Sequence, residues 1–511
     1  MSAWSRWPGS VGVLLVAWAA DTTCGQAVLP PGFEVVTVAS GFLRPVGIAF
    51  SADGRLFVAE QRGLVWVVEG GRRLTEPFID LREEVGYGGE RGMLGIALEP
   101  EFLRDRHVFL LYAVDPIYGE PDEPPDTCTF GRLTRYTGTL ESRGNVADLD
   151  SRNVLIGERP AEGFPICYTS HGVGGLGFAA DGTLFVGAGD GAHHNGPDAG
   201  GRDTGCFGPN MFSPDQDIGA FRAQYLDSLA GKILRIDPVT GEGVPSNPFW
   251  TGDGRQARSK VWVSGLRNPF RFAVRPGSGS PEVVYIGDVG WHGYEEVSVA
   301  RGGENFGWPC YEGPAAAPDY PSLAPLHSGC DTIGTPPNPG ALAGPLVTWH
   351  HTDATMSVPP GYRGTCAIGG AFAGQSSYPP PYGGKYYFGD FVSGWVKVLE
   401  VDEQDRFVAL RHFGVLGESA SQLIAHPLNG DLHYPSVYTG RVRRIRLLRG
   451  DLDGDADVDL ADFLLFQLCF AGPNAPAASS CPPGVTADLD EDGDVDLVDF
   501  AFFRLSFTGS R

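Results

Sequence analysis

The sequence predicts an all-β fold, a six-bladed β-propeller, followed by a small α-helical domain with two EF-hand-type calcium loops. The first observation is composition: glycine (73) and proline (41) are frequent among the 511 residues, yet 42% are hydrophobic and 11% are aromatic. That mixture is typical of a turn-rich β protein with a packed core rather than of a disordered chain. The second observation is a hairpin motif that recurs along most of the chain, and the third is an acidic C-terminal segment that repeats one loop.

Each copy of the hairpin motif has an apolar strand, a turn rich in Pro, Asp or Gly, and a second apolar strand. The copies are Gly47–Glu60, Gly95–Val114, Leu176–Asp190, Phe272–Gly290, Ala371–Phe391 and Leu423–Ile445. No stretch between them has the period of a long amphipathic helix. Repeated hairpins without helices predict a propeller with one copy in each blade, and a two-sheet β-sandwich is the alternative. Ligands of a propeller usually bind over the central channel, on loops at one end of the sheets.

Residues 1–27 are predicted to form a secretory signal peptide. Arg6 precedes an apolar run from Val11 to Ala20, and small residues follow, with cleavage after Ala19 or Ala27. The run is shorter than the ~20 residues that a membrane-spanning helix needs, and an uncleaved anchor is the alternative. We therefore expect a secreted or cell-surface protein with no membrane span after cleavage, and a propeller domain over residues 32–447.

The nine cysteines include no CxxC pair, so a zinc site is not expected. If Cys24 leaves with the signal peptide, eight remain, a number that suits disulfides in an oxidising compartment. Cys469 and Cys481 flank a short segment rich in Pro, Ala and Ser, and we predict that they pair.

The formal net charge of −24, from 38 basic and 62 acidic residues, makes nucleic acid an unfavourable partner. The acid excess is concentrated in residues 450–511, where the segments DLDGDADVDLAD and DLDEDGDVDLVD share one spacing. Calcium takes about six to eight oxygen ligands, which this spacing supplies, whereas a solvated acidic surface would not repeat it twice. The predicted ligands are Asp451, Asp453, Asp455, Asp457, Asp459, Asp462, Asp488, Asp490, Asp492, Asp494, Asp496 and Asp499.

Two calcium loops, each followed by one helix, resemble a type I dockerin. The resemblance implies that residues 450–511 dock onto a cohesin-type protein in a calcium-dependent way. The first loop departs from the pattern because Ala456 stands where the second loop has Gly493. A self-contained anchor that calcium stabilises is the alternative.

Six blocks in residues 32–447 resemble the glucose/sorbosone dehydrogenase family. In order they are GGERGMLGIALEPEF, HGVGGLGFAADGTLFVGAGDG, AQYLDSLAGKILRIDP, GLRNPFRF, GDVGWHGYEEVSVARGGENFGWP and YYFGDFVSGWV. The soluble members of this family are aldose dehydrogenases that use pyrroloquinoline quinone (PQQ) and calcium. The resemblance implies a sugar substrate whose C1 hydroxyl is oxidised by hydride transfer to PQQ.

The resemblance also assigns residues to this reaction. His171 is the general base, a role that suits imidazole because its ordinary pKa lies near neutral pH. Arg267 and Asn268 contact the cofactor, and the Arg267 guanidinium stabilises negative charge on the reduced quinone. The alternative for Arg267 is a structural arginine that joins two blades through carbonyl contacts. Glycines 172, 174 and 175 would let a flat cofactor approach the backbone.

The block GDVGWHGYEE aligns with the calcium-binding loops of the family. The carbonyls of Gly290 and Trp291 are the implied ligands of the calcium that holds the cofactor. Glu296 and the carbonyl of Phe306 align with a second, structural calcium site. Calcium would act as a Lewis acid on the quinone as well as an anchor.

Three cationic contacts of the family to the PQQ carboxylates are missing from the aligned positions. The chain has Ala373 where a lysine is expected, and Ser419 and Ser421 where two arginines are expected. The same propeller occurs in hedgehog-interacting proteins, which bind a partner. A non-catalytic, calcium-bound propeller that binds carbohydrate or protein is therefore the alternative to a dehydrogenase, and a lactonase-like hydrolase is a more distant third.

Overall fold

The computed structural model describes residues 26–30, 32–115, 127–279, 282–317, 319–323, 330, 333, 340–374, 378, 381–453, 455, 457–490 and 492–507. Most of the predicted signal peptide, including Cys24, lies outside these residues, as does Ala456. Across the described ranges, no helix is long and apolar enough to span a membrane.

Strands dominate the chain up to residue 447. The first fifteen are β1 (Phe33–Ser40), β2 (Pro45–Phe50), β3 (Leu56–Glu60), β4 (Leu64–Glu69), β5 (Arg72–Arg73), β6 (Ile79–Asp80), β7 (Met93–Leu98), β8 (His107–Ala113), β9 (Thr129–Gly138), β10 (Ala147–Ile156), β11 (Phe164–Ile166), β12 (Val173–Phe178), β13 (Leu184–Ala188), β14 (Lys232–Ile236) and β15 (Val261–Ser264).

The next fifteen are β16 (Arg271–Val274), β17 (Val284–Asp288), β18 (Tyr294–Ala300), β19 (Glu304–Asn305), β20 (Tyr311–Glu312), β21 (Ala315–Ala316), β22 (Ala341–Leu342), β23 (Val347–His350), β24 (Ala367–Phe372), β25 (Tyr386–Asp390), β26 (Trp395–Val401), β27 (Phe407–Val415), β28 (Ile424–Ala425), β29 (Leu432–Ser436) and β30 (Arg441–Leu447).

Two α-helices of 10 residues each, α3 (Leu460–Cys469) and α4 (Leu497–Ser506), lie beyond residue 447. Up to that residue the helices are short: α1 (Phe102–Asp105), α2 (Ala257–Lys260) and 3-10 turns at Pro160–Glu162, Thr204–Cys206, Pro214–Gln216, Gly219–Ala223 and Tyr320–Ser322. The all-β prediction for this part of the chain is confirmed.

In the described residues, six sheets have four or more strands. Their strand orders are β2-β3-β4-β5, β10-β9-β8-β7, β12-β13-β14-β15-β19-β22, β16-β17-β18-β23, β24-β25-β26-β27 and β1-β30-β29-β28. Each of the six copies of the hairpin motif lies in a different sheet, where it supplies the innermost strands.

The innermost strands follow one another around a ring. Strand β2 contacts β7, β7 contacts β12, β12 contacts β16, β16 contacts β24, β24 contacts β28, and β29 returns to β2. The predicted propeller is therefore confirmed, and the sandwich alternative is wrong because the sheets surround one axis instead of stacking in two layers.

Strand β1 comes from the other end of the domain and completes the last sheet. It pairs antiparallel with β30, from Phe33 opposite Leu447 to Ser40 opposite Arg441. Hydrogen bonds between the first and last strands of the propeller thus close the ring.

Glycines let the innermost strands pack closely. A Cβ on Gly174 would lie 2.7 Å from the carbonyl oxygen of Pro269, and one on Gly95 would lie 2.8 Å from the carbonyl oxygen of Gly174. The expectation that Gly174 makes room for a flat cofactor is therefore wrong, because the neighbouring strand fills that space. The contacts also show that the innermost strands start at one common end of the channel.

The C-terminal residues form a small helical unit with its own core. Strand β30 leads into the first aspartate loop, and α3 and α4 each follow a loop, as predicted. Val458, Phe466, Leu489 and Phe503 are buried together. The predicted disulfide between Cys469 and Cys481 is confirmed.

Two further disulfides join Cys128 to Cys206 and Cys310 to Cys330. Cys167 and Cys366 are thiols. The cysteines that remain without Cys24 are therefore not all paired.

Candidate functional site

His171 and Asp190 form a buried pair at the end of the channel where the innermost strands start. His171 lies just before β12, and Asp190 lies just after β13, the partner of β12. Nδ1 of His171 is 3.0 Å from Oδ1 of Asp190, and the two residues are 4% and 1% exposed. Oδ1 of Asp190 also accepts from the N–H of Ala192 (2.9 Å), and Oδ2 accepts from Nε1 of Trp308 (2.8 Å). These three contacts fix the carboxylate in place.

The backbone of His171 has a φ of 52°, in the left-handed region that few residues with a side chain adopt. Its N–H donates to Oε2 of Glu90 (3.1 Å), and its carbonyl accepts from the N–H of Gly191 (2.9 Å). A Cβ on Gly189 would clash with the same carbonyl. Such a backbone persists only where its surroundings hold it, and it is concentrated at functional sites.

The charges around Asp190 favour its ionised form. Burial alone would raise the pKa of Asp190, but the charge and hydrogen bond of His171, with the charge of Arg267, lower it below the ordinary value. An ionised Asp190 accepts the Nδ1 proton of His171, which leaves the Nε2 lone pair as the proton acceptor. Among the described residues, Nε2 of His171 has no hydrogen-bond partner.

Arg267 and Asn268 lie in the connection between β15 and β16. Their backbone N–H groups donate to the carboxylate of Asp288, at 2.9 and 2.6 Å. The Arg267 guanidinium donates to the carbonyls of Val289 (3.0 Å) and Gly290 (2.5 Å). These are the carbonyl contacts of the structural alternative for Arg267.

Arg267 also belongs to the surroundings of Asp190. Its carbonyl accepts from the N–H of Asp190 (2.8 Å), and its guanidinium carbon lies 5.5 Å from the centre of the Trp308 ring. The structure thus brings His171, Asp190, Arg267 and Trp308 to one place, and Asn268 lies beside them.

The loop that starts at Gly290 is shaped by a residue that the sequence did not single out. Oε1 of Glu312 accepts from four successive N–H groups, those of residues 291–294, at 2.7 to 3.2 Å. Successive N–H groups that converge on one point form an anion nest. Glu312 fills this nest and holds the loop in position.

Buried carboxylates meet behind this loop. Asp288, Glu296 and Glu312 line one pocket, together with Gly290 and Phe306. Burial, followed by the charge of Asp288, raises the pKa of Glu296 well above its ordinary value, and burial also raises the pKa of Asp288. Acids that destabilise one another in this way suit a bound cation.

Two calcium sites are predicted near the channel, one at Gly290 and Trp291 and one at Glu296 and Phe306. Glu296, Phe306 and Gly290 line the pocket of buried carboxylates, but Trp291 is not among its lining residues. The indole of Trp291 stacks on His292 with 3.8 Å between ring centres, and its Nε1 donates to the His194 carbonyl (3.1 Å).

Aspartates that are predicted as calcium ligands lie close together in the two C-terminal loops. Ligand oxygens lie within 4.8 Å of one another in four groups: Asp451 with Asp453, Asp455 and Asp462; Asp457 with Asp459 and Asp462; Asp488 with Asp490 and Asp492; and Asp494 with Asp496 and Asp499.

The last aspartate of each loop has the same contacts. Oδ1 of Asp462 accepts from the N–H groups of Leu452 and Asp453, and Oδ1 of Asp499 accepts from those of Leu489 and Asp490. In the second loop, Asp488 and Asp494 each have a buried Oδ1 with no hydrogen-bond partner among the described residues. A cation fits these oxygens because buried carboxylate oxygens need a partner.

The positions of the three missing cations fall in two places in the fold, because Ser419 and Ser421 lie two residues apart in the connection before β28. Ala373 follows the last residue of β24 and is buried in the core at the opposite end of the channel from His171. The alanine at position 373 therefore gives no information about the cationic contacts of the site. Ser421 lies in the connection before β28, on the site side, and its Oγ donates to the carbonyl of Val46 (3.1 Å).

Comparison with known proteins agrees with this architecture. The family model described as Glucose / Sorbosone dehydrogenase matches residues 42–317, more than half of the chain. The chain belongs to the glucose/sorbosone dehydrogenase family. The resemblance seen in the six sequence blocks is thereby confirmed.

Relatives within the glucose/sorbosone dehydrogenase family have different printed names. HIPL2 protein of Arabidopsis thaliana is 25% identical over 423 residues, which cover 73% of this chain and 55% of the relative. Aldose sugar dehydrogenase YliI of Escherichia coli is 26% identical over 294 residues, 57% of this chain and 63% of the relative. The chain thus spans about half the length of the HIPL proteins that it matches.

Solved structures of the glucose/sorbosone dehydrogenase type share the fold. The PQQ-bound aldose sugar dehydrogenase of Streptomyces coelicolor is 20% identical, with a TM-score of 0.55 over 82% of this chain and 99% of that one. The apo form of the soluble aldose sugar dehydrogenase of Escherichia coli is 20% identical, with a TM-score of 0.57 over 81% and 99%.

Proposed function

We propose that this protein is a secreted, quinoprotein-type oxidoreductase that oxidises the C1 hydroxyl of an aldose or a related sugar. The observation that carries the proposal is the buried pair of His171 and Asp190, at the end of the channel where propellers bind ligands. A general base must be held in position, and here a buried carboxylate and a strained loop hold it. Packing of the propeller does not by itself need such an arrangement.

The chain supplies the proton chemistry of this reaction. Nε2 of His171 takes the proton of the sugar hydroxyl, and the Asp190 carboxylate stabilises the imidazolium that forms. Hydrogen bonds from Trp308 and from the backbone of Ala192 hold the Asp190 carboxylate in position against the imidazole ring of His171. Water is kept from Asp190, which is 1% exposed, so its charge acts at full strength on His171.

PQQ, when bound, supplies the two-electron acceptor for the C1 hydride. Arg267 and Asn268 would hold it, with calcium at the carbonyls of Gly290 and Trp291. The positive charge of Arg267 beside the buried pair fits an anionic cofactor. Its contact with the Gly290 carbonyl must loosen when a cation binds the same oxygen, because the two positive charges repel.

A second, structural calcium fits the pocket of buried carboxylates. Glu296 and the Phe306 carbonyl are the ligands that we propose, and Asp288 and Glu312 line the same cavity. A divalent cation there would offset the mutual repulsion of these acids.

A non-catalytic, calcium-bound propeller that binds carbohydrate or protein is the second candidate function. The contacts of the Arg267 guanidinium with two backbone carbonyls favour it, because a guanidinium engaged in this way has fewer donors left for a cofactor. The two functions differ in one measurable property, the binding of a redox cofactor.

We further propose that residues 450–511 form a dockerin-like module that binds two calcium ions and tethers the propeller to a cohesin-type protein. The grouped aspartates support the calcium sites. On α3, Leu460 and Leu464 lie one helical turn apart and are 72% and 59% exposed, and Leu497 occupies the equivalent place on α4 with 70% exposure. Apolar side chains exposed at matching positions suit a protein partner.

A titration of purified, calcium-loaded protein with PQQ, followed by absorbance, tests the proposed function. Stoichiometric binding, with reduction of the bound quinone on addition of an aldose, is the expected result. Absence of binding at micromolar PQQ would reject the dehydrogenase and favour the binding module.

A further inference from the structure

Arg271 crosses the central channel of the propeller. It is the first residue of β16, and its Nη2 donates to the carbonyl of Val46 in β2 at 2.6 Å. Strands β16 and β2 lie on opposite sides of the ring, three sheets apart in either direction. The guanidinium therefore lies across the channel, three residues beyond Asn268 and at the end where His171 is found.

The charge of Arg271 has no anionic counterpart among the residues that the structure describes. The residue is 3% exposed, and no carboxylate in the described part of the chain forms an ion pair with it. Nη1 donates to the Phe270 carbonyl (2.9 Å), and the guanidinium carbon lies 4.0 Å from the centre of the Phe270 ring. Nε is buried with no hydrogen-bond partner among the described residues.

Two other buried arginines of the propeller have acidic partners: Arg235, 7% exposed, pairs with Asp181, and Arg55, 6% exposed, pairs with Asp53. Arg222 and Arg267 donate to backbone carbonyls as Arg271 does, but in the described residues neither has a buried guanidinium nitrogen without a partner. Burial alone lowers the pKa of Arg271 to about 9, since no neighbouring charge offsets it. A buried cation without a counter-ion is unfavourable, and a bound anion would remove that penalty.

The position of Arg271 relates it to one of the missing cations. Oγ of Ser421 donates to the carbonyl oxygen of Val46, the same oxygen that accepts from Nη2 of Arg271. The guanidinium thus lies beside the position where the family resemblance places an arginine that this chain lacks. One positive charge is present there, supplied from a different strand.

We propose that Arg271 is a binding residue for a carboxylate-bearing ligand seated over the channel, and that its charge replaces the arginine missing at position 421. The inference rests on the proposed function, in which PQQ is that ligand. It extends the proposed function by naming a cationic contact to the ligand at a position different from those where the family resemblance places cationic residues.

The test compares the PQQ affinity of calcium-loaded wild-type protein with that of Arg271→Met, Arg271→Gln and Arg271→Lys, by absorbance titration and by the rise in melting temperature on PQQ addition. Arg235→Met is the matched control, because Arg235 is a buried arginine whose partner, Asp181, lies in the turn between β12 and β13 at the far end of the channel. We expect Kd to rise at least tenfold in Arg271→Met and Arg271→Gln, and less in Arg271→Lys, which keeps the charge.

Equal affinity of the wild type and both neutral variants would overturn the inference and leave the proposed function intact. A purely structural Arg271 would lower the melting temperature of the ligand-free protein without changing Kd. Failure of the wild type itself to bind PQQ would reject the proposed function, and the inference with it. If Arg271→Met does not fold, Arg271→Gln, which retains hydrogen-bond donors for the Val46 and Phe270 carbonyls, decides the outcome.

Discussion

Asp190 holds the imidazole of His171 through a contact of 3.0 Å between Oδ1 and Nδ1, in a place where both side chains are almost fully buried. The opposite oxygen of the carboxylate is held by Trp308, so the acid cannot turn away from the ring. This relationship leaves Nε2 as the free end of the histidine. The role of His171 as base and the role of Asp190 in positioning it can therefore be tested by separate mutations.

Replacing His171 with Ala should lower kcat by about 10²- to 10⁴-fold, because the general base is lost. Asp190→Asn should lower kcat with little change in KM, since the amide no longer stabilises the imidazolium. The measurement is steady-state kinetics on PQQ- and calcium-loaded protein with a set of aldoses, and circular dichroism checks the fold. Full turnover by His171→Ala would remove the assigned role.

Gly189→Ala should displace His171, because its new Cβ would meet the His171 carbonyl. We expect turnover to fall at least as far as in Asp190→Asn, although residue 189 carries no functional group. The matched control is Gly344→Ala, because a Cβ on that exposed glycine meets nothing within 4 Å. A crystal structure of Gly189→Ala with His171 unmoved would contradict the explanation.

The thiols of Cys167 and Cys366 should resist alkylation in the folded protein. Burial raises the pKa of Cys167 to about 11, and burial of the thiol, with the charges of Glu295 and Asp390, raises that of the partly exposed Cys366 well above its ordinary value. Thiolates are the reactive form. Mass spectrometry after maleimide treatment should find both unlabelled in buffer and both labelled in guanidinium without reductant. Labelling of Cys206 or Cys128 under the second condition would show that their disulfide is absent.

Asp499→Ala should remove one calcium ion from the C-terminal residues. Asp499 accepts backbone N–H groups from Leu489, Asp490 and Asp496, so its loss removes a ligand and also loosens the loop that presents the others. Isothermal titration calorimetry on the full chain should give one fewer calcium site than in the wild type. Asp148→Asn, at an exposed position of β10 in the propeller, should leave the stoichiometry unchanged.

Acid should destabilise the propeller through His433, a buried residue of β29. Burial lowers the pKa of His433 from 6.5 to about 3. The hydrogen bond to the Asp431 carbonyl raises this pKa, and the positive charges of His426 and Arg444 lower it further. Between those two pH values the unfolded chain binds a proton that the folded protein does not, so the free energy of unfolding falls as the pH falls. The slope is at most about 1.4 kcal/mol per pH unit.

His433→Gln should flatten this dependence. Urea denaturation of the variant between pH 4 and 7 should show a smaller loss of stability on acidification than the wild type. His412→Gln, on the exposed face of β27, should stay closer to the wild type, because partial burial lowers the pKa of His412 less than full burial lowers that of His433. Parallel curves for His433→Gln and the wild type would contradict the assignment.

Several of these features follow from the sequence. The hairpin repeats predict the sheets, because alternating apolar strands and Asp-Gly turns determine local structure with little help from distant contacts. The register of the hairpin formed by β12 and β13 could have identified Asp190 as the partner of His171. Val173 lies opposite Ala188, so the residue two before the first strand faces the residue two after the second.

Other parts of the site could not be predicted in this way. Glu312 meets the N–H groups of residues 291–294 only through a fold-back of the chain, and Arg271 meets Val46 from across the ring, 225 residues away. Such contacts depend on how the sheets are placed around the axis, which no local pattern records. Ala373 was misjudged for the same reason, since its end of the channel depends on strand direction.

The pairing of β1 with β30 gives the order of synthesis a physical role. While the protein is being made, residues 33–40 leave the ribosome first but have no hydrogen-bond partner until residues 441–447 follow. Until then the nascent propeller has two open strand edges, which can pair with other chains. A chaperone that keeps the chain unfolded until its last strand is available would therefore protect it from aggregation. In a chain truncated before residue 441, β1 would have no partner strand, and both edges would stay exposed.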